Sequence, residues 1–113
     1  MHELSLCGAI VDVARRRAGD RRVEVIHLRI GELRQVVPDS LHFCWSMVTA
    51  ETSLEGCTLD VERVAAVLEC GSCGSSCGMG EQIAFACVTC GALDVSVVAG
   101  EEFLVTALDL VPA

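Results

Sequence analysis

Two cysteine pairs, each followed by a glycine, constrain this 113-residue chain more than any other feature. Cys70 pairs with Cys73 and Cys87 with Cys90, in the pattern C-x2-C-x13-C-x2-C. Two residues between the thiols let both sulfurs reach one ion at about 2.3 Å, and the glycine lets the backbone turn so that N–H groups point at the sulfurs. Two facing pairs complete a tetrahedron with no position for a reactive water. The spacing therefore predicts a structural zinc site.

Other uses of cysteine compete with this interpretation. A redox dithiol pair and an iron–sulfur cluster are the alternatives at the same four positions. A disulfide framework is disfavoured because the chain shows no export signal: Glu3 precedes the first apolar stretch and the arginines follow it, the reverse of a secretory leader. Cys77 is expected to be a free thiol, with a role as a competing zinc ligand as the alternative. Cys7 and Cys44 are expected to be core thiols.

The net charge excludes some functions and favours others. The chain carries −8, with sixteen acidic residues against eight arginines and no lysine. Such a chain lacks the basic surface that neutralises phosphates, which disfavours nucleic-acid binding and favours a cation or a protein partner. No run of eighteen apolar residues exists, so we expect no membrane span and a cytoplasmic protein. No open metal site, phosphate loop or nucleophile motif is found, so we expect no catalytic residues and no enzyme.

Hydrophobic periodicity predicts two helices and three strands. The first helix covers residues 4–18, and its expected buried positions are Leu4, Cys7, Val11, Ala14 and Ala18. The second begins at Pro38, ends near Thr49 and has an apolar stripe of Leu41, Cys44, Trp45 and Val48. Strands are predicted over 23–30, 58–68 and 102–111, and the last is expected to pair with the strand before the cysteine module.

The predicted fold class is α+β, with two helices packed on a three-stranded sheet and a zinc ribbon inserted before the last strand. Residues 1–68, completed by a strand within 99–113, form the expected main domain. Residues 69–98 form the expected zinc-ribbon module.

The first residues form a second metal-binding pattern. They offer four nitrogens in adjoining chelate rings: an α-amine on Met1, the amide and imidazole nitrogens of His2, and the amide of Glu3. Square-planar nitrogen coordination favours Ni(II) or Cu(II) over zinc. We expect the methionine to be retained because histidine is bulky at position two. A solvated terminal histidine is the alternative.

The chain resembles the HypA/HybF family of hydrogenase nickel-incorporation proteins. The resemblance lies in the opening MHELS, VIHLRIGEL at residues 25–33, VVPDSLHFCW at 36–45, the two C-x-x-C-G pairs and GEEFLVTALDL at 100–110. Together these pieces span essentially the whole chain.

The resemblance implies a metallochaperone that delivers Ni(II) to the large subunit of NiFe-hydrogenase together with the nickel GTPase HypB. It implies nickel at Met1, His2 and Glu3 and structural zinc at the four cysteines. Some relatives also serve urease maturation. Certain relatives carry histidines near the zinc module; this module has none, and His27 and His42 are expected to serve surface or packing. The alternative function is a zinc-ribbon adaptor that acts through protein or nucleic-acid binding.

Overall fold

The structure is a computed structural model that describes residues 2–78 and 85–112. Two α-helices, a 3-10 turn and six strands occur in this part of the chain. They are α1 (His2–Ala18), β1 (Val23–Gly31), the 3-10 turn Glu32–Arg34, α2 (Pro38–Thr49), β2 (Thr58–Val64), β3 (Val67–Cys70), β4 (Ser76–Gly78), β5 (Val95–Ala99) and β6 (Phe103–Leu110). The described strands form two three-stranded sheets, with orders β2-β1-β6 and β4-β3-β5. The predicted α+β class is confirmed, with a second small sheet in addition.

Helix α1 begins two residues earlier than predicted and buries a different stripe. Its buried residues are Leu6, Cys7, Ile10, Ala14 and Ala18. The expected positions Leu4 and Val11 are wrong, because Leu4 is 43% exposed and Val11 is only half-buried. Apolar residues cover more than half of the circumference of this segment, so more than one stripe fits a 3.6-residue period. Packing against α2 selects the stripe that is buried.

Helix α2 has the predicted bounds, and Pro38 occupies its first turn. Leu41, Cys44 and Trp45 are buried as predicted, whereas Val48 is half-buried and Thr49 is buried in its place. The Thr49 hydroxyl donates to the carbonyl of Trp45 at 2.7 Å, which satisfies this buried polar group. The indole N–H of Trp45 donates to the carbonyl of Cys57 at 2.8 Å.

The predicted strand over residues 58–68 is wrong as a single element. It divides into β2 and β3, which belong to different sheets. At the break, the Ala66 N–H donates to the Glu32 carboxylate at 2.8 Å. The strand is interrupted at this residue, whose N–H is bonded to a side chain. Strand propensity is continuous across the segment, so it does not reveal the interruption.

The expected partner of the last strand is also wrong. Strand β6 lies beside β1, the central strand of its sheet, and not beside β2. Just before β6, the Gly31 N–H donates to the Glu102 carbonyl at 2.7 Å and the Leu33 N–H donates to the Gly100 carbonyl at 2.8 Å. The strand that does return to β3 is β5, which pairs with it antiparallel.

The chain divides into two compact units. One contains the residues up to Arg29, Val36–Glu62 and the residues from Leu104 onward; the other contains Ile30–Gln35 and Arg63–Phe103. The expected zinc-ribbon segment 69–98 lies within the second unit. The first unit includes the large, fully buried side chains of Ile10, Ile26, Leu28 and Leu41. In the second, buried Ala66 and Leu68 are packed by Leu33, Cys77, Val95 and Val97.

Candidate metal centre

The two cysteine pairs adopt the same backbone turn. In the first, the Cys70 N–H donates to the Ser75 carbonyl at 2.9 Å, and the Gly74 N–H donates to the Cys70 carbonyl at 3.0 Å. In the second, the Cys87 N–H donates to the Ala92 carbonyl at 2.9 Å, and the Gly91 N–H donates to the Cys87 carbonyl at 2.8 Å. Gly74 and Gly91 have φ values of +74° and +76°, a region that residues with a Cβ rarely adopt. The glycines after each pair are therefore needed for the turn.

These turns bring the four predicted zinc ligands together. The sulfurs of Cys70, Cys73, Cys87 and Cys90 all lie within 4.8 Å of one another. The Cys70 and Cys90 sulfurs are 3.6 Å apart, and so are those of Cys73 and Cys87. Four sulfurs placed tetrahedrally at about 2.3 Å from one ion are about 3.8 Å apart. Two of the six sulfur–sulfur distances are therefore close to those around a tetrahedral four-thiolate ion, and all six are short enough for the sulfurs to share one ion.

Backbone and hydroxyl donors favour the thiolate form at two of these cysteines. The N–H groups of Cys90 and Thr89 lower the pKa of the Cys87 thiol to about 6. The Ser75 hydroxyl lies 2.8 Å from the Cys73 sulfur and lowers the pKa of that thiol. A thiolate is the form of cysteine that binds a metal, so these contacts prepare the site for an ion.

Asp94 joins the first cysteine pair to the chain that follows the second. The Ser72 hydroxyl donates to its carboxylate at 2.7 Å, and the Gly71 N–H donates to its carbonyl at 2.9 Å. A Cβ on Gly71 would lie 2.8 Å from the same carboxylate. Sequence reasoning missed Asp94, since a lone aspartate four residues after Cys90 carries no recognisable pattern.

The remaining cysteines lie outside this cluster. Cys77 is a free, half-buried thiol on β4 that faces Leu68 and packs in the small core, as predicted for a non-ligand. Cys7 and Cys44 are buried core thiols, also as predicted. Burial, Cys44 and Glu3 together raise the pKa of Cys7 to about 11. Burial also raises the pKa of Cys57. The thiols of Cys7 and Cys57 are therefore not ready ligands.

Two of the three predicted nickel ligands are described, and Met1 lies outside the described residues. His2 and Glu3 form the first turn of α1, and His2 is exposed. The Glu3 carboxylate accepts a hydrogen bond from the Ser40 hydroxyl of α2 at 3.2 Å. The N-terminal residues therefore start a helix whose beginning is attached to α2 by a side-chain contact.

The other two histidines differ in their surroundings. His42 is exposed on α2. His27 lies between two carboxylates: its Nδ1 is 3.0 Å from Asp60 and its Nε2 is 3.0 Å from Asp109. Within residues 2–78 and 85–112, the four cysteines form the one group of three or more His, Cys, Asp or Glu residues close enough to share an ion. No helix in these ranges is both long and apolar enough to cross a membrane.

Fold and site together define a small α+β protein with a group of four cysteines that could hold one metal ion. A model of the HypA family, described as hydrogenase/urease nickel incorporation, metallochaperone, matches residues 1–110. Hydrogenase maturation factor HypA of Geobacter metallireducens is 41% identical over 110 residues, which cover 97% of this chain and 99% of the relative. The same factor of Chlorobium limicola is 38% identical over 113 residues, covering 97% of each. The chain belongs to the HypA family of nickel-incorporation metallochaperones.

A solved structure has the same fold. The solution structure of the Ni metallochaperone HypA from Helicobacter pylori matches with a TM-score of 0.68 at 19% identity, covering 100% of both chains. Family membership confirms the predicted function in nickel incorporation during hydrogenase maturation. The family is one of metallochaperones rather than enzymes, and the adaptor alternative is not favoured.

Proposed function

We propose that this chain binds Ni(II) at Met1, His2 and Glu3 and releases it to the maturing hydrogenase, while zinc at Cys70, Cys73, Cys87 and Cys90 holds the second unit together. The observation that carries the proposal is the separation of two ligand sets with different chemistry. The four sulfurs lie close enough together to bind one ion with all four positions filled, which leaves none for cargo. His2 and Glu3, the described part of the nitrogen set, form the start of α1, where His2 is exposed.

The choice of zinc for the cysteine centre rests on ligand chemistry and on the size of the second unit. Tetrahedral four-sulfur sites suit zinc or an iron–sulfur cluster, and zinc is the ion with no redox chemistry. The buried cluster of the second unit contains only Ala66 and Leu68 among the described residues. Zinc contributes roughly 10–16 kcal/mol in small zinc-dependent folds, which is enough to order a unit with so small a core.

The choice of nickel for the N-terminus rests on its nitrogen donors. On a chain whose α-amine is free at Met1, the amine, the His2 imidazole and two main-chain nitrogens supply a planar set that favours Ni(II). The Glu3 amide lies in the first helical turn, where α1 itself supplies no carbonyl partner. An ion held at an exposed chain end is open to incoming ligands, which suits transfer. The receivers implied by the resemblance are the GTPase HypB and the hydrogenase large subunit, in the cytoplasm.

The nickel site is tested by calorimetric titration of untagged protein with Ni(II). His2→Ala, and separately two residues added before Met1, should each abolish tight nickel binding and leave the zinc content unchanged. His42→Ala is the matched control, because His42 is exposed on α2 and should not contribute. Nickel binding should also weaken below neutral pH, since protons compete with the ion for the nitrogen ligands. Undiminished nickel binding by the His2→Ala variant would contradict the proposal.

A further inference from the structure

One contact between the two helices involves a residue of the proposed nickel site directly. Ser40 lies in the first turn of α2, and its hydroxyl donates to the Glu3 carboxylate at 3.2 Å. The two residues are 37 positions apart in sequence, and both are half-buried. One helical turn further along α1, the Cys7 thiol donates to the carbonyl of Leu41 at 3.7 Å. Two hydrogen bonds, one turn apart along α1, therefore join the start of α1 to the start of α2.

The position of the Glu3 carboxylate matters for a metal that binds Glu3 through its main-chain nitrogen. That carboxylate belongs to a ligand residue, so if it were released it would lie near the ion. A carboxylate oxygen suits octahedral ions such as Mg²⁺ and Mn²⁺, whereas a planar set of nitrogens suits Ni(II) and Cu(II). Instead, this carboxylate accepts a hydrogen bond from the Ser40 hydroxyl. The positive end of the α2 dipole, at Ser40, favours the negative charge in the same place.

We propose that Ser40 is a positioning residue for nickel selection, which rests on the proposed N-terminal nickel site. By holding the Glu3 carboxylate at the start of α2, Ser40 keeps that oxygen away from the ion. The same hydrogen bond fixes the first turn of α1, from which the main-chain nitrogen of Glu3 is presented. Ser40 itself does not bind the ion.

The test compares the Ni(II) affinity and the visible absorption spectrum of Ser40→Ala, Ser40→Thr and wild-type protein. Ser40→Ala should lower the nickel affinity about 10- to 100-fold, the range typical for loss of a partner that orients a metal ligand. Its spectrum should lose the planar Ni(II) band in favour of a six-coordinate, paramagnetic ion. Ser40→Thr retains the hydroxyl and should restore both properties. Ser46→Ala is the matched control, because the Ser46 hydroxyl of α2 donates to the carbonyl of Phe43 in its own helix.

A second pair of variants separates positioning from a general effect on packing. Replacing Glu3 by Ala in the Ser40→Ala background removes the competing oxygen, so the planar band should return. Glu3→Ala alone should keep that band, a result that does not depend on whether Ser40→Ala folds. Loss of the planar band in Glu3→Ala, or a wild-type affinity and spectrum in Ser40→Ala, would overturn the inference. If instead wild-type protein takes up no nickel, it is the proposed function that fails.

Discussion

The surroundings of His27 are formed by three strands: its own strand β1 and the neighbouring β2 and β6. Alternation along β1 places it on the face opposite Ile26 and Leu28, together with Arg29. Its ring nitrogens lie 3.0 Å from Asp60 on β2 and from Asp109 on β6. The hydrogen bond to Asp109, followed by that to Asp60, raises the pKa of His27 above 6.5 although partial burial opposes the shift. The doubly protonated ring donates to both carboxylates and joins the three strands.

The His27 contacts predict a pH-dependent contribution to stability. Because the folded-state pKa is raised, the contribution is fully present below the unfolded value of about 6.5 and is lost as pH rises through the folded value. His27→Gln should therefore lower the urea midpoint more at about pH 6 than at about pH 9. The neighbouring charged pair, Arg29 with Glu62 at 2.8 Å, remains in both proteins.

His42→Gln is the control for the His27 experiment, since His42 is exposed on α2 in the same unit. It should change the urea midpoint little at either pH. An equal loss of stability at both pH values in His27→Gln would show that the ring acts by packing rather than by charge.

Gly31 and Gly8 differ in the space that is available for a side chain. A Cβ on Gly31 would overlap the carbonyl of Gly100 and lie 2.6 Å from the Glu101 nitrogen, whereas a Cβ on Gly8 of α1 would meet nothing within 4 Å. Gly31→Ala should destabilise the protein by about 3 kcal/mol or more, because backbone must move. Gly8→Ala should stabilise it by about 0.5–1 kcal/mol, because alanine is the better helix former. Urea unfolding of both variants measures the contrast, and a neutral Gly31→Ala would contradict the close approach.

At the scale of elements, the strands of the second sheet are short. Strands β3, β4 and β5 have four, three and five residues, and three-residue β4 lies at an edge. Sheets this small bury little apolar surface, so the turns at their ends must supply stability from another source. We propose that an ion held by the two cysteine turns is this source, since one turn begins at the last residue of β3 and both contribute to the same group of four sulfurs.

The cysteine turns predict different outcomes for two nearby thiols. Cys87→Ser should abolish stoichiometric zinc binding, because it removes one of the four sulfurs. Cys77→Ser is the matched control: this thiol packs in the small core and is not one of the four, so zinc should be retained. Elemental analysis of the two purified variants decides the matter. Loss of zinc from Cys77→Ser with retention in Cys87→Ser would show that Cys77, and not Cys87, is the zinc ligand.

At the scale of the whole molecule, the two units differ in the groups that they bury. The first has a core of aliphatic side chains from both helices and β1, together with Trp45, the single tryptophan of the chain. The second has a small apolar cluster and the cysteine centre. The net charge of −8 favours the approach of cations and disfavours that of phosphate polymers, in agreement with a metal carrier.

The division into units predicts that removal of zinc acts on one of them. Trp45 belongs to the first unit and is 4% exposed, so its fluorescence reports on that core. A chelator strong enough to extract zinc should alter the amide hydrogen exchange of β3 and β5 and leave the Trp45 emission maximum unchanged. A red shift of Trp45 emission on zinc removal would show that the first core also needs the metal.

The sequence by itself determined several of the elements and the grouping of four of the cysteines. Helix α2, strand β1 and the four clustered sulfurs all agree with local patterns, because periodicity, Pro38 and the C-x2-C spacing act over a few residues. The pairing of β6, the division at Ala66 and the buried stripe of α1 were decided by tertiary structure. Each depends on which distant surface a segment meets, and neither propensity nor spacing contains that information. The same reason explains why Ser40, Asp94 and the carboxylates around His27 were not predicted: their partners lie 22 to 82 positions away in the chain.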